Sequence, residues 1–424
     1  MKKRPIKVMF KMPMVIVFIF ILIFFTPLAI YSPGENRNRG VVTAIGIDKA
    51  DEQYEISLLT FIPTANQTYK EQNAVISGKG QSVAEAIYNA QIAMGRTIGL
   101  AHAKTTVVNE ELLNEDVSVV VNYLSRVASL PENTVFVCTN KTAKEMLESS
   151  QELTSHLGLK LEQVIGYNAK HLYVTDTSLE AFYKGYYSKT KASLIGYLTL
   201  EEATEQGKEK SSVSGMNEPS QGGGQSESQG GGQGGSGGEK KHILNQGQAV
   251  LLKDGKKVAL LSIEELNGIN LLNTKSKDQI ISIDNVEHNG NKLSMQYKIK
   301  NKKTLITTEF ENGYPIYVAQ LILGVELVEV SGMDDSLKIN TEFSEVTDEV
   351  ARKIEEEIKK QYTASIKILR ENNADVIGVT KKFFIEHRKE FTKFVEQLDG
   401  IDDFLNYVTC LLYTSPSPRD YAAS

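Results

Sequence analysis

Six histidines are the side chains best suited to proton transfer or metal ligation near neutral pH. They stand at His102, His156, His171, His242, His288 and His387, scattered along the chain. No H-E-x-x-H, C-x-x-C or G-x-S-x-G motif joins them or the two cysteines, Cys138 and Cys410, into a metal or nucleophile constellation. His102, in Leu100-Ala101-His102-Ala103-Lys104, is the most suggestive single residue. A catalytic base there would need an orienting carboxylate, and the sequence places none, so a structural histidine at a helix-to-strand junction is the preferred reading. Asp48 falls at a strand end and reads as a turn residue. Gly78-Lys79-Gly80 resembles a fragment of a phosphate loop but lacks its G-K-[ST] ending, and a turn before a helix explains it better. Tyr183, Tyr186 and Tyr187 form either a contact surface or, as preferred, a half-buried face. The charged run Glu355 to Lys360 reads as the wet face of a helix. No catalytic, cofactor-binding or metal-binding residue is assigned, and no cofactor is expected.

These residues must be held by a mixed α/β scaffold. Strands are predicted at 41–48 and 54–62, joined as a hairpin across the polar residues 48–53. Ser82-Val83-Ala84-Glu85 is a capping box, and Ala86, Ile87, Ala90 and Met94 follow at helical spacing. A strand at 103–108, a helix at 117–127 and a strand at 134–138 come next, then a second capping box at Thr142-Ala143-Lys144-Glu145. Further on, Asp254-Gly255 supplies the positive φ angles of a tight hairpin between 248–253 and 257–261. A short helix at 264–272 precedes strands at 279–286, 292–300, 304–309, 325–330 and 337–343. Thr347 can then cap a long amphipathic helix in which Val350, Ile354, Ile358 and Tyr362 recur every four residues. Asn372-Asn373-Ala374-Asp375 breaks it, and a second helical stretch covers 376–394.

Composition narrows the function classes. The hydrophobic and charged fractions, 41% and 24%, are ordinary for globular domains. A net charge of −6 argues against nucleic acid, whose binders carry a clustered basic face. Residues 1–11 hold five cationic side chains and no acid, and 12–31 then form an apolar segment free of charge. About 20 apolar residues suffice to cross a bilayer, and the basic flank would remain cytoplasmic, so the bulk is expected outside the cytoplasm. A cleaved signal peptide is the competing reading, but Thr26-Pro27-Leu28-Ala29-Ile30-Tyr31 offers no A-x-A-like site, and an uncleaved anchor is preferred. Residues 206–242 are rich in Gly, Ser and Gln and read as a disordered linker, too polar to offset their ordering entropy. The stretch from Cys410 to Asp420 matches the translation of a transposase-based sequencing adapter, so 410–424 is set aside from fold reasoning.

Several segments together resemble the C subunits of bacterial spore germinant receptors, the GerAC-like family. They are Arg39-Gly40-Val41-Val42-Thr43-Ala44-Ile45-Gly46-Ile47-Asp48, then Gly78-Lys79-Gly80-Gln81-Ser82-Val83-Ala84-Glu85-Ala86-Ile87, then Leu100-Ala101-His102-Ala103-Lys104. The match continues through the Arg126 region and Phe136-Val137. Beyond the linker it takes in 249–261 with Glu264-Glu265-Leu266-Asn267-Gly268, then 354–362, then Ala374-Asp375-Val376-Ile377-Gly378. The order and spacing of these segments over 37–400 carry the resemblance. It implies a receptor subunit with no known catalytic activity, assembled with an A-type and a B-type integral-membrane subunit at the spore inner membrane. Family members usually carry a lipobox cysteine and a neighbouring Trp before the opening motif; here 26–39 has no Cys and the chain has no Trp.

The expected architecture is α+β, or mixed α/β. An N-terminal transmembrane helix precedes two to three domains with mainly antiparallel sheets and packed amphipathic helices. An N-terminal domain is expected at 37–205 and a C-terminal region at 243–409, with a separate last subdomain from about residue 300. The expected function is a non-enzymatic, single-pass subunit acting by protein contact on the outer face of the membrane. The alternative is an anchored extracytoplasmic domain that binds a ligand or cell-wall material by itself.

Overall fold

The computed structural model describes residues 39–50, 52–62, 72–127, 129–153, 177–202, 242–272, 279–288, 291–331 and 346–416, together with Phe20. Apart from Phe20 and His242, the expected membrane segment at 12–31 and the expected linker at 206–242 lie outside these residues, as does the strand predicted at 337–343. Among the described residues no helix is long and apolar enough to cross a membrane.

The first sheet has nine strands. They are β1 (Arg39–Ala50), β2 (Gln53–Ile62), β3 (Gln72–Gly80), β4 (Thr97–Gly99), β5 (Thr105–Asn109), β6 (Val135–Thr139), β7 (Ala192–Glu202), β8 (His242–Lys253) and β9 (Lys256–Leu261). Their order is β3-β2-β1-β5-β6-β7-β8-β9, with β4 paired to β1. Mainly antiparallel pairing was the expectation, but the centre is parallel: β1 with β5, β5 with β6, and β6 with β7. The reason is connectivity. Each link between these strands contains at least one helix, and only such a crossover returns the chain to run parallel. Every residue of β5 is buried, as a strand covered on both faces requires.

Helices cover the two faces. Helices α1 (Val83–Met94), α2 (Ser118–Val127) and α4 (Leu179–Tyr186) pack Ala86, Val121 and Phe182 against Ile45, Val108 and Phe136. Helix α3 (Ala143–Leu153) lies on the opposite face, with Met146 and Leu147 against Ala44, Val107 and Val137. The Thr142–Glu145 capping box forms in full, whereas at Ser82 the returning bond goes one residue earlier. The Ser82 hydroxyl accepts from the Glu85 amide, and Glu85 accepts from the Gln81 amide. Gly78 is neither a turn nor a phosphate site. It lies in β3, where a Cβ would sit 2.2 Å from the Ala90 amide nitrogen, so its missing side chain lets α1 seat on the strand.

Strands β8 and β9, drawn from the stretch expected to open the C-terminal region, complete this first sheet. Glu202 pairs with His242, so the chain leaves and re-enters the β7–β8 ladder at the same end.

The second sheet runs β10 (Ile280–His288), β11 (Asn291–Glu311), β12 (Tyr314–Ser331), β13 (Thr409–Pro416). The strands expected at 292–300 and 304–309 are one strand, and an irregularity between Ile299 and Asn301 marks the apparent break. Asn312 and Gly313, both at positive φ, turn β11 into β12. The tail set aside from Cys410 onward supplies β13, paired in parallel with Ile316 to Leu323. Its alternation suits an edge strand: Cys410 and Leu412 pack inward, while Leu411 and Tyr413 are exposed.

Helices α5 (Ile263–Leu272) and α6 (Asp348–Glu371) join the two sheets' cores. They meet at Gly268, where a Cβ would lie 2.0 Å from the Ser365 hydroxyl. Thr347 caps α6 by accepting from the Val350 amide. The single helix expected at 376–394 is two, α7 (Val379–Glu386) and α8 (Arg388–Val395), divided at His387. Phe404, in the short helix α9 (Phe404–Tyr407), packs edge-on against Phe383 and Phe391.

Candidate functional site

The chain turns to opposite faces of the sheet after β5 and β6, reaching α2 from one and α3 from the other. In open α/β sheets such a reversal leaves a crevice beyond the carboxyl ends of the strands, the usual place for a ligand. A cleft of about 700 Å³ lies there, lined by Asp48, Asn109, Glu110 and Thr142 among others.

Asp48 is its central residue and is only 4% exposed. Oδ1 accepts from the Ala143 amide at 2.6 Å and Oδ2 from the Lys144 amide at 3.0 Å. These are the first amides of α3, which the helix itself cannot satisfy. The Thr142 hydroxyl accepts from the Glu145 amide, and Glu145 accepts from the Thr142 amide. Asp48 is therefore no turn residue; it fastens α3 to the end of β1. Burial raises its pKa above the ordinary carboxylate value, more than the two amides lower it.

Several other charges around the cleft also tie elements together. Glu110 accepts from Lys257 at 2.8 Å and from the Tyr197 hydroxyl, linking the end of β5 to β9 and β7. Burial opposes its ionisation, but these two partners outweigh it and its pKa is lowered. Glu55 meets Lys79 at 3.3 Å and Lys144 at 3.1 Å, joining β2 to β3 and α3. Lys49 donates to Glu115 at 2.6 Å. The result is a rim of mixed charge. Glu110 was missed in the sequence; the only local signal was Asn109, whose side chain caps the turn that holds it.

The remaining sequence candidates are dispersed. His102 is exposed in a single 3-10 turn, Leu100–His102. Cys138 is buried in β6, and burial pushes its thiol pKa up, away from the reactive thiolate. The tyrosine stretch divides. Tyr183 bonds to the Ser125 hydroxyl and Tyr186 to Asp116, each at 2.9 Å, while Tyr187 stacks on Tyr183 and stays 67% exposed. In the 355–360 run, Lys360 pairs with Glu264 at 3.3 Å, so part of the wet face ties α6 to α5. Among the described residues no group of three or more His, Cys, Asp or Glu is placed to hold a metal ion.

Residues 35–200 match the family described as spore germination protein N-terminal domain. Residues 246–399 match the family described as spore germination B3/GerAC like, C-terminal. The chain is 22% identical over 384 residues to spore germination protein KC of Bacillus subtilis (strain 168), covering 86% of each. Among solved structures it is similar to the GerBC protein, at a TM-score of 0.48 and 15% identity, covering 88% of this chain and 96% of that one.

Proposed function

Because this chain belongs to the GerAC-like family of spore germination proteins, we propose that it serves spore germination as the non-enzymatic C subunit of a germinant receptor. The observation that carries this reading is that the family's N- and C-terminal parts both match, in order, on either side of the 203–241 segment. The engagement of Asp48, Glu55 and Glu110 in ties between elements supports a scaffold that works by contact. A general base needs a carboxylate free to take up a proton from substrate.

In this reading the apolar segment at 12–31 anchors the chain in the spore inner membrane, with the bulk outside the cytoplasm. The partners are an A-type and a B-type integral-membrane subunit. The test is isolation of the tagged chain from cross-linked spore membranes. Recovery of two polytopic proteins in constant ratio is expected; recovery of the chain alone would defeat the proposal.

A further inference from the structure

A second cleft, of about 470 Å³, lies between the α4–β7 corner and the break that follows α6. We propose that it binds a small monocarboxylate with an apolar body. The proposal does not depend on the receptor reading.

The cleft is built from both family-matched stretches. Gly185 and Leu194 come from the first; Ile269, Leu272 and the segment from Asp375 to Lys381 come from the second. Its floor is apolar, with Leu194, Ile269 and Leu272 in it. Gly185 sets the depth. A Cβ there would lie 2.3 Å from the Ala192 carbonyl oxygen, so only glycine lets α4 approach β7 this closely. The volume falls in the range of about 300–1,000 Å³ typical of small-molecule sites.

The polar groups fix the charge of the occupant. Lys184, Lys189 and Lys381 line the cleft of a chain whose net charge is −6. Lys184 is already matched by Glu180, at 2.5 Å. Asp375 is 6% exposed, and its carboxylate accepts from the Gly378, Val379 and Thr380 amides, at 2.8, 3.1 and 2.6 Å. With Lys184 paired and Asp375 counted against Lys189 and Lys381, the lining sums to one net positive charge, which favours an anionic occupant. Lys189, which lines the cleft, is held over the Phe384 ring, its ammonium 3.8 Å from the centroid. Among the described residues the Thr380 hydroxyl, on a side chain 1% exposed, has no hydrogen-bond partner, so the wall also keeps an unused polar group. An apolar body on Leu194, Ile269 and Leu272, with its carboxylate towards Lys189 and Lys381, satisfies this lining.

The test is calorimetric titration of the full chain, in mild detergent, with 4-phenylbutyrate and with its neutral amide. Saturable one-to-one binding of the acid is expected, about fivefold tighter than the amide, the upper end for an ion pair with exposed lysines. The Lys189→Met, Lys381→Met double variant should lose the same factor. Both lysines are exposed, so its melting temperature should match the parent's. Lys141→Met, in the Asp48 cleft, should bind as the parent does. No saturable binding, or equal affinity for acid and amide, or an unchanged affinity in the double variant, would overturn the proposal. None of these results bears on co-isolation of receptor subunits, so the two readings fail separately.

Discussion

Asp48 and Asp375 perform the same task in two parts of the molecule. Each is a buried carboxylate that accepts the opening amides of a helix, α3 in one case and α7 in the other. Asp375 reaches amides three to five residues ahead, whereas Asp48 reaches across 95 and 96 residues. A local cap can form as soon as its turn forms. A remote one exists only once β1, β6 and α3 are in register, so it reports on the assembled sheet. The same chemistry is thus a turn signal in one region and a tertiary lock in the other.

The largest expected effect that would sharpen this contrast is at the remote cap. Asp48→Ala leaves one buried and one half-buried amide without an acceptor and should cost about 3 kcal/mol, since each unsatisfied buried group costs roughly 1–3. Urea unfolding measures it, and a loss under about 1 kcal/mol would mean that water replaces the carboxylate. Asp375→Ala leaves three amides without their acceptor, but all lie in one short turn that can reorient towards water, so it should cost less, about 1–2 kcal/mol, the usual scale for a local helix cap. If the local cap proved the costlier, the distinction between lock and turn would collapse.

Next is the join between β7 and β8. Glu202 and His242 already pair, so replacing 203–241 with a short turn should leave the sheet intact and raise stability by at most about 2 kcal/mol through loop-closure entropy. A destabilised product would assign that segment a part in the fold.

The smallest effect is in pH dependence. Unfolded, Asp48 ionises near the ordinary value of 3.8; folded, it keeps its proton to higher pH. Between those two points the folded state holds more protons, so its contribution to stability falls as pH rises through that window and is flat above it. Asp48→Asn should remove that downward component from a stability profile recorded upward from pH 4. An identical profile in the variant would show that burial does not govern this carboxylate.

The contrast also explains what could be read in the sequence. Ser82, Thr142 and Thr347 were legible as caps because each partner amide lies three residues away. Asp254-Gly255 was legible because positive φ leaves few residue choices. Asp48 looked like a turn residue because nothing within its own strand hints at Ala143. The parallel centre was hidden for a similar reason, since pairing between β1 and β5 depends on how intervening helices pack. Glu110 acquires its role from Tyr197 and Lys257, both distant in sequence. The second cleft was equally invisible, because the residues that line it come together only in the folded chain. Strand β13 was set aside on the origin assigned to its residues, although their alternation alone fits a strand.

The receptor-subunit reading is tested most directly by germination itself. Spores from a strain lacking this chain should fail to germinate on the nutrient that triggers the parent strain, and should recover when the intact gene is restored. Normal nutrient-triggered germination in the deletion strain would contradict the account.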